Sequence, residues 1–213
     1  MTAPVIGVRD VHRSYGRRRV LDGVDFDVRA GTLVGIVGEN GAGKSTLLRC
    51  LVGLLEPDRG HVAVRGTIGY CPQEPILVDL LTCDEQFELF GAGYGLPRGE
   101  AAGRAARLMA FFGCERYAHT RVDQLSGGTR QKVNLIASLL HDPEVLILDE
   151  PYQGFDYETY LRFWDYAEER REEGRSQVIV SHLLAEQNRF DEILSLRDGR
   201  IAPTTQTHAG GAR

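Results

Sequence analysis

Gly38-Glu39-Asn40-Gly41-Ala42-Gly43-Lys44-Ser45-Thr46 is the stretch that decides how this chain is read. It fits the pattern G-x-x-x-x-G-K-[ST], in which glycines let the backbone fold so tightly that successive N–H groups point at phosphate oxygens. Just upstream, Leu33-Val34-Gly35-Ile36-Val37 is an almost unbroken apolar run, as a strand buried on both faces requires. Downstream, Lys44 to about Val52 reads as a helix that ends near Gly53. A strand feeding the loop and a helix leaving it are the context in which such a loop holds phosphate, and the helix N-terminus adds a favourable dipole. In this reading Gly38, Asn40, Gly41 and Gly43 form the cradle and Lys44 reaches the β- and γ-phosphates. The Ser45 hydroxyl ligates magnesium, and Thr46 helps to bind phosphate.

A second stretch, Val145-Leu146-Ile147-Leu148-Asp149-Glu150, is an aliphatic strand that ends in two carboxylates. Asp149 is expected to face the metal through water, and Glu150 to polarise an attacking water. Together the two stretches supply most parts of a nucleoside triphosphatase. His182 follows the apolar run Val178-Ile179-Val180-Ser181. The carboxyl end of a buried strand in an open α/β sheet is where ligands bind, so His182 is placed either to contact a γ-phosphate or to cap and pack. Gln73 follows a short strand and either completes the metal or water shell or is a plain polar loop residue.

Around these motifs, Val5 to Val11 and Val24 to Val28 alternate in polarity and read as antiparallel strands joined through a polar turn at Tyr15 to Arg19. His61 to Tyr70 suggests two short strands turning at Gly66. From 75 to 141 the texture becomes rich in Ala, Leu and Phe with Gly breaks, and helices are expected at Asp84 to Phe90, Gly99 to Phe112 and Ser126 to Leu140. A further helix from about Asp156 to Glu173 carries Tyr157, Tyr160, Leu161, Trp164 and Ala167 as a packing face, and the charges from Glu168 to Glu173 as a solvated end. Ile193 to Leu196 and Arg200 to Ile201 flank an Asp198-Gly199 hairpin turn, and 203–213 reads as a frayed tail. The expected class is α/β: a P-loop NTPase core with a mixed sheet, N-terminal antiparallel strands and an inserted helical subdomain. One domain spans 1–213, with a RecA-like core at 1–74 and 142–202 and the helical subdomain at about 75–141.

Composition narrows the class. The chain has 213 residues, 42% of them hydrophobic and 26% charged, which suits one globular domain. A net charge of −5 argues against a nucleic-acid binder, so no nucleic-acid partner is expected. The main basic cluster, Arg17-Arg18-Arg19, reads as a solvated loop, with phosphate contact as the other option. No apolar run approaches the roughly 20 residues needed to cross a bilayer, and Arg9, Asp10, His12 and Arg13 interrupt any secretory segment at the N-terminus. Cys50, Cys71, Cys83 and Cys114 form no metal or redox pattern and are expected to be reduced packing residues.

Leu125-Ser126-Gly127-Gly128-Thr129-Arg130-Gln131-Lys132 adds a second anion-binding helix start, where a single phosphate loop would suffice for one chain. At this point the sequence resembles the ATP-binding subunit of ABC transporters from about Val5 to Ile201. The resemblance implies that Tyr15 stacks on adenine, that Gly38 to Thr46 are Walker A, that Gln73 is the Q-loop and that Leu125 to Thr129 are the signature motif. It makes Val145 to Glu150 Walker B, Asp156 the D-loop and His182 the switch histidine. It implies ATP and Mg2+ as cofactors and a second ATPase subunit packed head to tail, so that Ser126, Gly127 and Gly128 of one copy close over the γ-phosphate held by the other. It also implies an integral membrane transporter subunit as partner, through which this chain would sit at the cytoplasmic face of the membrane, and an exporter-type layout. Two other classes stay open at this point: a non-transport ABC ATPase and a regulatory ATP-binding module. Thr129 departs from the Gln common in the family, and Pro151-Tyr152-Gln153-Gly154-Phe155-Asp156 departs from Pro-Thr-Ser-Gly-Leu-Asp.

Overall fold

Leu146 and Leu148 pack on one side of the central sheet while their neighbours Val145 and Ile147 pack on the other. This period-of-two division runs through the whole sheet and separates two hydrophobic cores. The computed structural model describes residues 3–181 and 188–202. Its strands are β1 (Ile6–Tyr15), β2 (Arg18–Val28), β3 (Leu33–Val37), β4 (Arg59–Val64), β5 (Ile68–Cys71), β6 (Val145–Asp149), β7 (Ser176–Val180), β8 (Glu192–Arg197) and β9 (Arg200–Ala202). Its α-helices are α1 (Lys44–Leu51), α2 (Cys83–Gly93), α3 (Arg98–Phe111), α4 (Gly127–Leu139) and α5 (Tyr157–Glu172).

The central sheet has six strands in the order β5-β6-β7-β3-β8-β9, and only the β8–β9 pair is antiparallel. A separate antiparallel sheet has the order β2-β1-β4. Helix α1 and this smaller sheet cover one face of the central sheet, where Val34, Ile36, Val178 and Val180 meet Leu47, Leu48, Val8 and Leu21. Helices α2 to α5 cover the other face, where Leu33, Leu146, Leu148 and Ile179 meet Phe87, Met109, Ile136 and Trp164. Because both faces are covered, β6 and β7 are buried along their entire length, which explains the aliphatic runs Val145–Leu148 and Val178–Val180. Asp198 and Gly199 both have positive φ, 48° and 74°, as the expected tight β8–β9 turn demands.

The mixed sheet, the N-terminal antiparallel strands and the expected helices are all present. Several local readings change. The two strands around Gly66 are not partners: β4 pairs with β1, whereas β5 joins the edge of the central sheet beside β6. The buried stripe of α5 centres on Phe163, Trp164, Ala167 and Arg170, while Tyr157 is 76% exposed and Leu161 lies at the surface. The charged end of α5 is not wholly solvated either. Arg170 is buried, with Nη1 2.9 Å from Asp142 Oδ1 and Nη2 donating to the Pro143 carbonyl. A buried guanidinium is tolerated because these acceptors replace its water. All four cysteines are free and buried, and burial pushes the Cys83 thiol up to about 11 and that of Cys114 up to about 12. The 203–213 tail lies outside the described residues.

Candidate functional site

The loop between β3 and α1 is shaped by contacts that only glycine permits. A Cβ on Gly38 would lie 2.4 Å from the Leu196 carbonyl oxygen, so the loop rests directly on the backbone of β8. Gly43, which caps α1 at φ 106°, would press a Cβ to 2.9 Å from the Val20 carbonyl oxygen of β2. With no side-chain cap on α1, the backbone N–H groups of its first turn are left for a ligand.

Lys44 folds back over this loop. Its Nζ donates to Gly38 O at 2.8 Å and to Glu39 O at 3.0 Å, and the residue is only 7% exposed. Burial pulls its pKa below the ordinary lysine value, against the opposing pull of Glu150 and Asp149. Asp149 ends β6 and is buried. Burial raises its pKa, while a hydrogen bond from the Ser45 side chain favours the charged form. Ser45 thus stands near enough to Asp149 to favour its charged form, at the start of α1.

Glu150 takes a left-handed backbone conformation, φ 50°, immediately past the strand, and its N–H donates to Val180 O at 3.2 Å. Such a conformation in a non-glycine residue costs on the order of 1 kcal/mol and persists where the surroundings fix it. Here it turns the chain out of β6 so that Glu150 lines a cavity of about 590 Å³. Tyr15, Asn40, Gly41, Gly43, Lys44, Ser45, Thr46 and Gln73 line the same cavity. That volume is in the range of a small-molecule site. The structure thus gathers most of the sequence-expected residues around one space. Gly38 supports the loop from below, and Asp149 stands behind Ser45.

Ser126, Gly127, Gly128 and Asp156 are not among the described residues lining this cavity; they form a second group. Ser126 caps α4, accepting from Thr129 N at 3.3 Å and lying 2.9 Å from Thr129 Oγ1. Thr129 is thereby turned inward and buried. A Cβ on Gly127 would meet nothing within 4 Å, whereas one on Gly128 would lie 2.3 Å from Gly154 O. Asp156 caps α5, accepting from Thr159 N at 2.8 Å and Thr159 Oγ1 at 2.9 Å, with Lys132 Nζ at 3.1 Å. The Thr159 backbone bond, then the Thr159 hydroxyl and Lys132, hold the Asp156 carboxyl well below the usual carboxylate range. His182 lies outside the described residues.

Reasoning from sequence missed two contributors and left the place of a third open. Lys132 links α4 to the start of α5. Tyr152 spans from the loop after β6 to Ser181 at the end of β7, with a 2.6 Å hydrogen bond. Arg18, for which the sequence left a solvated loop or a phosphate contact, is exposed, opens β2 and lines the cavity, donating to Gly41 O at 3.2 Å, while Arg19 pairs with Asp22 at 2.8 Å. The register of the β1–β2 hairpin was the available signal for Arg18, since it sets Arg18 opposite Tyr15.

Among the described residues no helix is long and apolar enough to cross a membrane. The ABC transporter family model matches residues 21–153. An ABC transporter ATP-binding protein of Methanocaldococcus jannaschii is 34% identical, over 92% of this chain and 76% of its own length. The Nod factor export ATP-binding protein I of Ralstonia nicotianae is 32% identical over 97% of this chain and 68% of its own length. Among solved structures, a dimeric post-hydrolysis state of an ATP-binding cassette bound to ADP and Pi superposes with a TM-score of 0.86 at 26% identity, covering 94% of this chain and 98% of that one. With its phosphate loop, its acidic strand end and its second glycine-bearing helix start each held in place by the fold, this chain belongs to the ABC transporter family of ATP-binding proteins.

Proposed function

We propose that two copies of this chain form an ATP-driven clamp that powers export through a separate membrane-spanning subunit. The chain is an ATP-hydrolysing transport subunit. The observation that carries the two-copy reading is the separation of the two groups. One cavity collects Tyr15, Lys44, Ser45, Thr46, Gln73 and Glu150, while Ser126 to Gly128 offer an open glycine, Gly127, elsewhere on the surface. A second copy is the source of the missing wall. The relative named for Nod factor export supports the direction of transport.

Within the site, Tyr15 takes the base, and the loop N–H groups and Lys44 hold the phosphates. Ser45 and Asp149 offer two hard oxygen donors side by side. Mg2+ keeps several waters and uses few protein ligands, a demand that one hydroxyl and one carboxylate fit. When bound, Mg2+ supplies charge neutralisation at the phosphate oxygens. Glu150, aimed into the cavity by its left-handed turn, accepts a proton from the attacking water. Gln73 and His182 are the residues proposed to complete the water and γ-phosphate contacts. We assign residues 75–141, carrying α2 to α4, as the subdomain that transmits the change to the membrane partner.

Turnover of the wild type and of Glu150→Gln, measured by phosphate release, tests the site. General-base loss predicts a fall of roughly 10²–10⁴-fold with ATP affinity retained. ATP-dependent dimerisation of the Gln variant, followed by size-exclusion chromatography, tests the clamp. Co-purification with a multi-span membrane protein tests the transport role, and a monomer under all nucleotide conditions would overturn the two-copy reading.

A further inference from the structure

Tyr15 and Arg18 are Cα partners at the tip of the β1–β2 hairpin. Directly opposed residues on an antiparallel ribbon project to the same face. Both line the cavity beside Gly41, Lys44 and Thr46. Arg18 Nη2 donates to Gly41 O at 3.2 Å, and a Cβ added to Gly41 would lie 3.3 Å from that nitrogen. The guanidinium therefore lies against the bare Cα of the phosphate loop. Its neighbour Arg19 is drawn to Asp22, but among the described residues no carboxylate pairs with Arg18. Arg18 is exposed yet tethered to the phosphate loop, so its remaining N–H donors face the cavity opening. A guanidinium has five N–H donors in a planar fork that matches phosphate geometry, and one bond to a carbonyl leaves the others available.

The location fixes which part of a nucleotide it meets. Tyr15 stands at the base end of the cavity and the glycine loop at the phosphate end, with Arg18 between them. We propose that Arg18 is a further nucleotide-binding residue, donating to the oxygens at the α-phosphate end of a nucleoside di- or triphosphate while it stays bonded to Gly41; this rests on the reading of the cavity as the ATP site. Charge at the α-phosphate changes little while the γ-phosphoryl group is transferred. Arg18 therefore contributes equally to substrate and transition state, and acts on KM rather than kcat.

The test is calorimetric titration of the purified chain with ATP and with ADP, for the wild type, Arg18→Ala, Arg18→Lys and Lys44→Ala. Arg18→Ala is expected to raise the Kd of both nucleotides by the same factor, on the order of tenfold, the loss of one charge-assisted hydrogen bond. KM for ATP rises by that factor and kcat stays within about twofold. Arg18→Lys falls between the two, because an ammonium keeps the charge without the fork. Thermal unfolding without nucleotide stays at the wild-type temperature. Unchanged Kd values would overturn the proposal, as would weakening for ATP alone, which would move the contact to the γ-phosphate, or a fall in kcat at unchanged Kd. If the wild type binds neither nucleotide, the ATP reading itself fails. If the wild type binds, Lys44→Ala does not, and Arg18→Ala binds like the wild type, only the role of Arg18 fails.

Discussion

The Tyr152 hydroxyl donates to Ser181 Oγ across 2.6 Å, and so ties the loop after β6 to the end of β7. The ring is held by aromatic contacts with Tyr160, Phe163 and Trp164, at centroid distances of 5.4, 5.4 and 5.8 Å. The family pattern carries a threonine at this position. In this chain the tyrosine supplies both the bond to the strand end and an aromatic anchor for the loop.

Tyr152→Phe keeps the ring and removes the hydrogen bond. Urea unfolding should show a loss of about 1 kcal/mol. Tyr152→Thr also removes the ring from its aromatic neighbours and should cost about 3 kcal/mol. Equal losses for the two variants would show that the hydroxyl, not the packing, dominates.

Gly127 and Gly128 are adjacent but should behave differently. Gly128→Ala drives a methyl against the Gly154 carbonyl and should lower stability by about 1–3 kcal/mol, visible as a reduced thermal midpoint. Gly127→Ala meets nothing in its own chain, so its thermal midpoint should match the wild type. If a second copy closes over this surface, Gly127→Ala should still lose ATPase activity. Full activity in a folded Gly127→Ala protein would count against that closure.

Arg170 lies buried between Asp142 and the Pro143 carbonyl. Arg170→Met fills much of the same volume but leaves the Pro143 carbonyl without this donor. Chemical denaturation should report a loss of about 2–3 kcal/mol. Asp142 retains Arg175 at 2.7 Å, which limits the effect below that of a fully stranded charge.

Asp156 predicts a pH dependence. Its carboxyl is depressed in the folded state, first by the Thr159 N–H bond. Its contribution to stability is therefore complete above the ordinary carboxylate value of 3.8 and is lost as the pH falls further, through the folded-state value. Asp156→Asn keeps a capping acceptor without the charge. The gap in thermal midpoint between wild type and variant should be open at neutral pH and should narrow below about pH 4. A gap of the same size at both ends would place its origin in cap geometry rather than charge.

The phosphate loop, the acidic strand end and the buried strands were legible because each depends on local pattern: glycines before Lys44, aliphatic runs before Asp149 and before Ser181. What sequence concealed depends on pairing between distant segments. Gly66 looks like a hairpin turn, but β4 and β5 leave it for different sheets, since each finds a better partner elsewhere in β1 and β6. Arg170 sits in a run of charges and reads as solvent-facing until Asp142 and Pro143 arrive beside it. Of the three arginines for which phosphate contact was one option, Arg18 is singled out only by the hairpin register, which sets it opposite Tyr15. Periodicity placed Trp164 and Ala167 on the packing face of α5, but the buried stripe runs on to Phe163 and Arg170 and leaves Tyr157 and Leu161 at the surface.

The strand that carries the phosphate loop, β3, is flanked by β7 and β8, both contributed from Ser176 onward. Gly38 rests on the Leu196 backbone, and Gly199 O accepts from Asp22 N at 2.8 Å. A nascent chain that has left the ribosome only as far as α5 therefore has its nucleotide motif written but neither neighbouring strand nor floor beneath it. The loop is thus assembled across the chain: its phosphate-facing backbone comes from one segment and its support from strands more than 130 residues downstream, so nucleotide capture waits on contacts that the motif cannot make by itself.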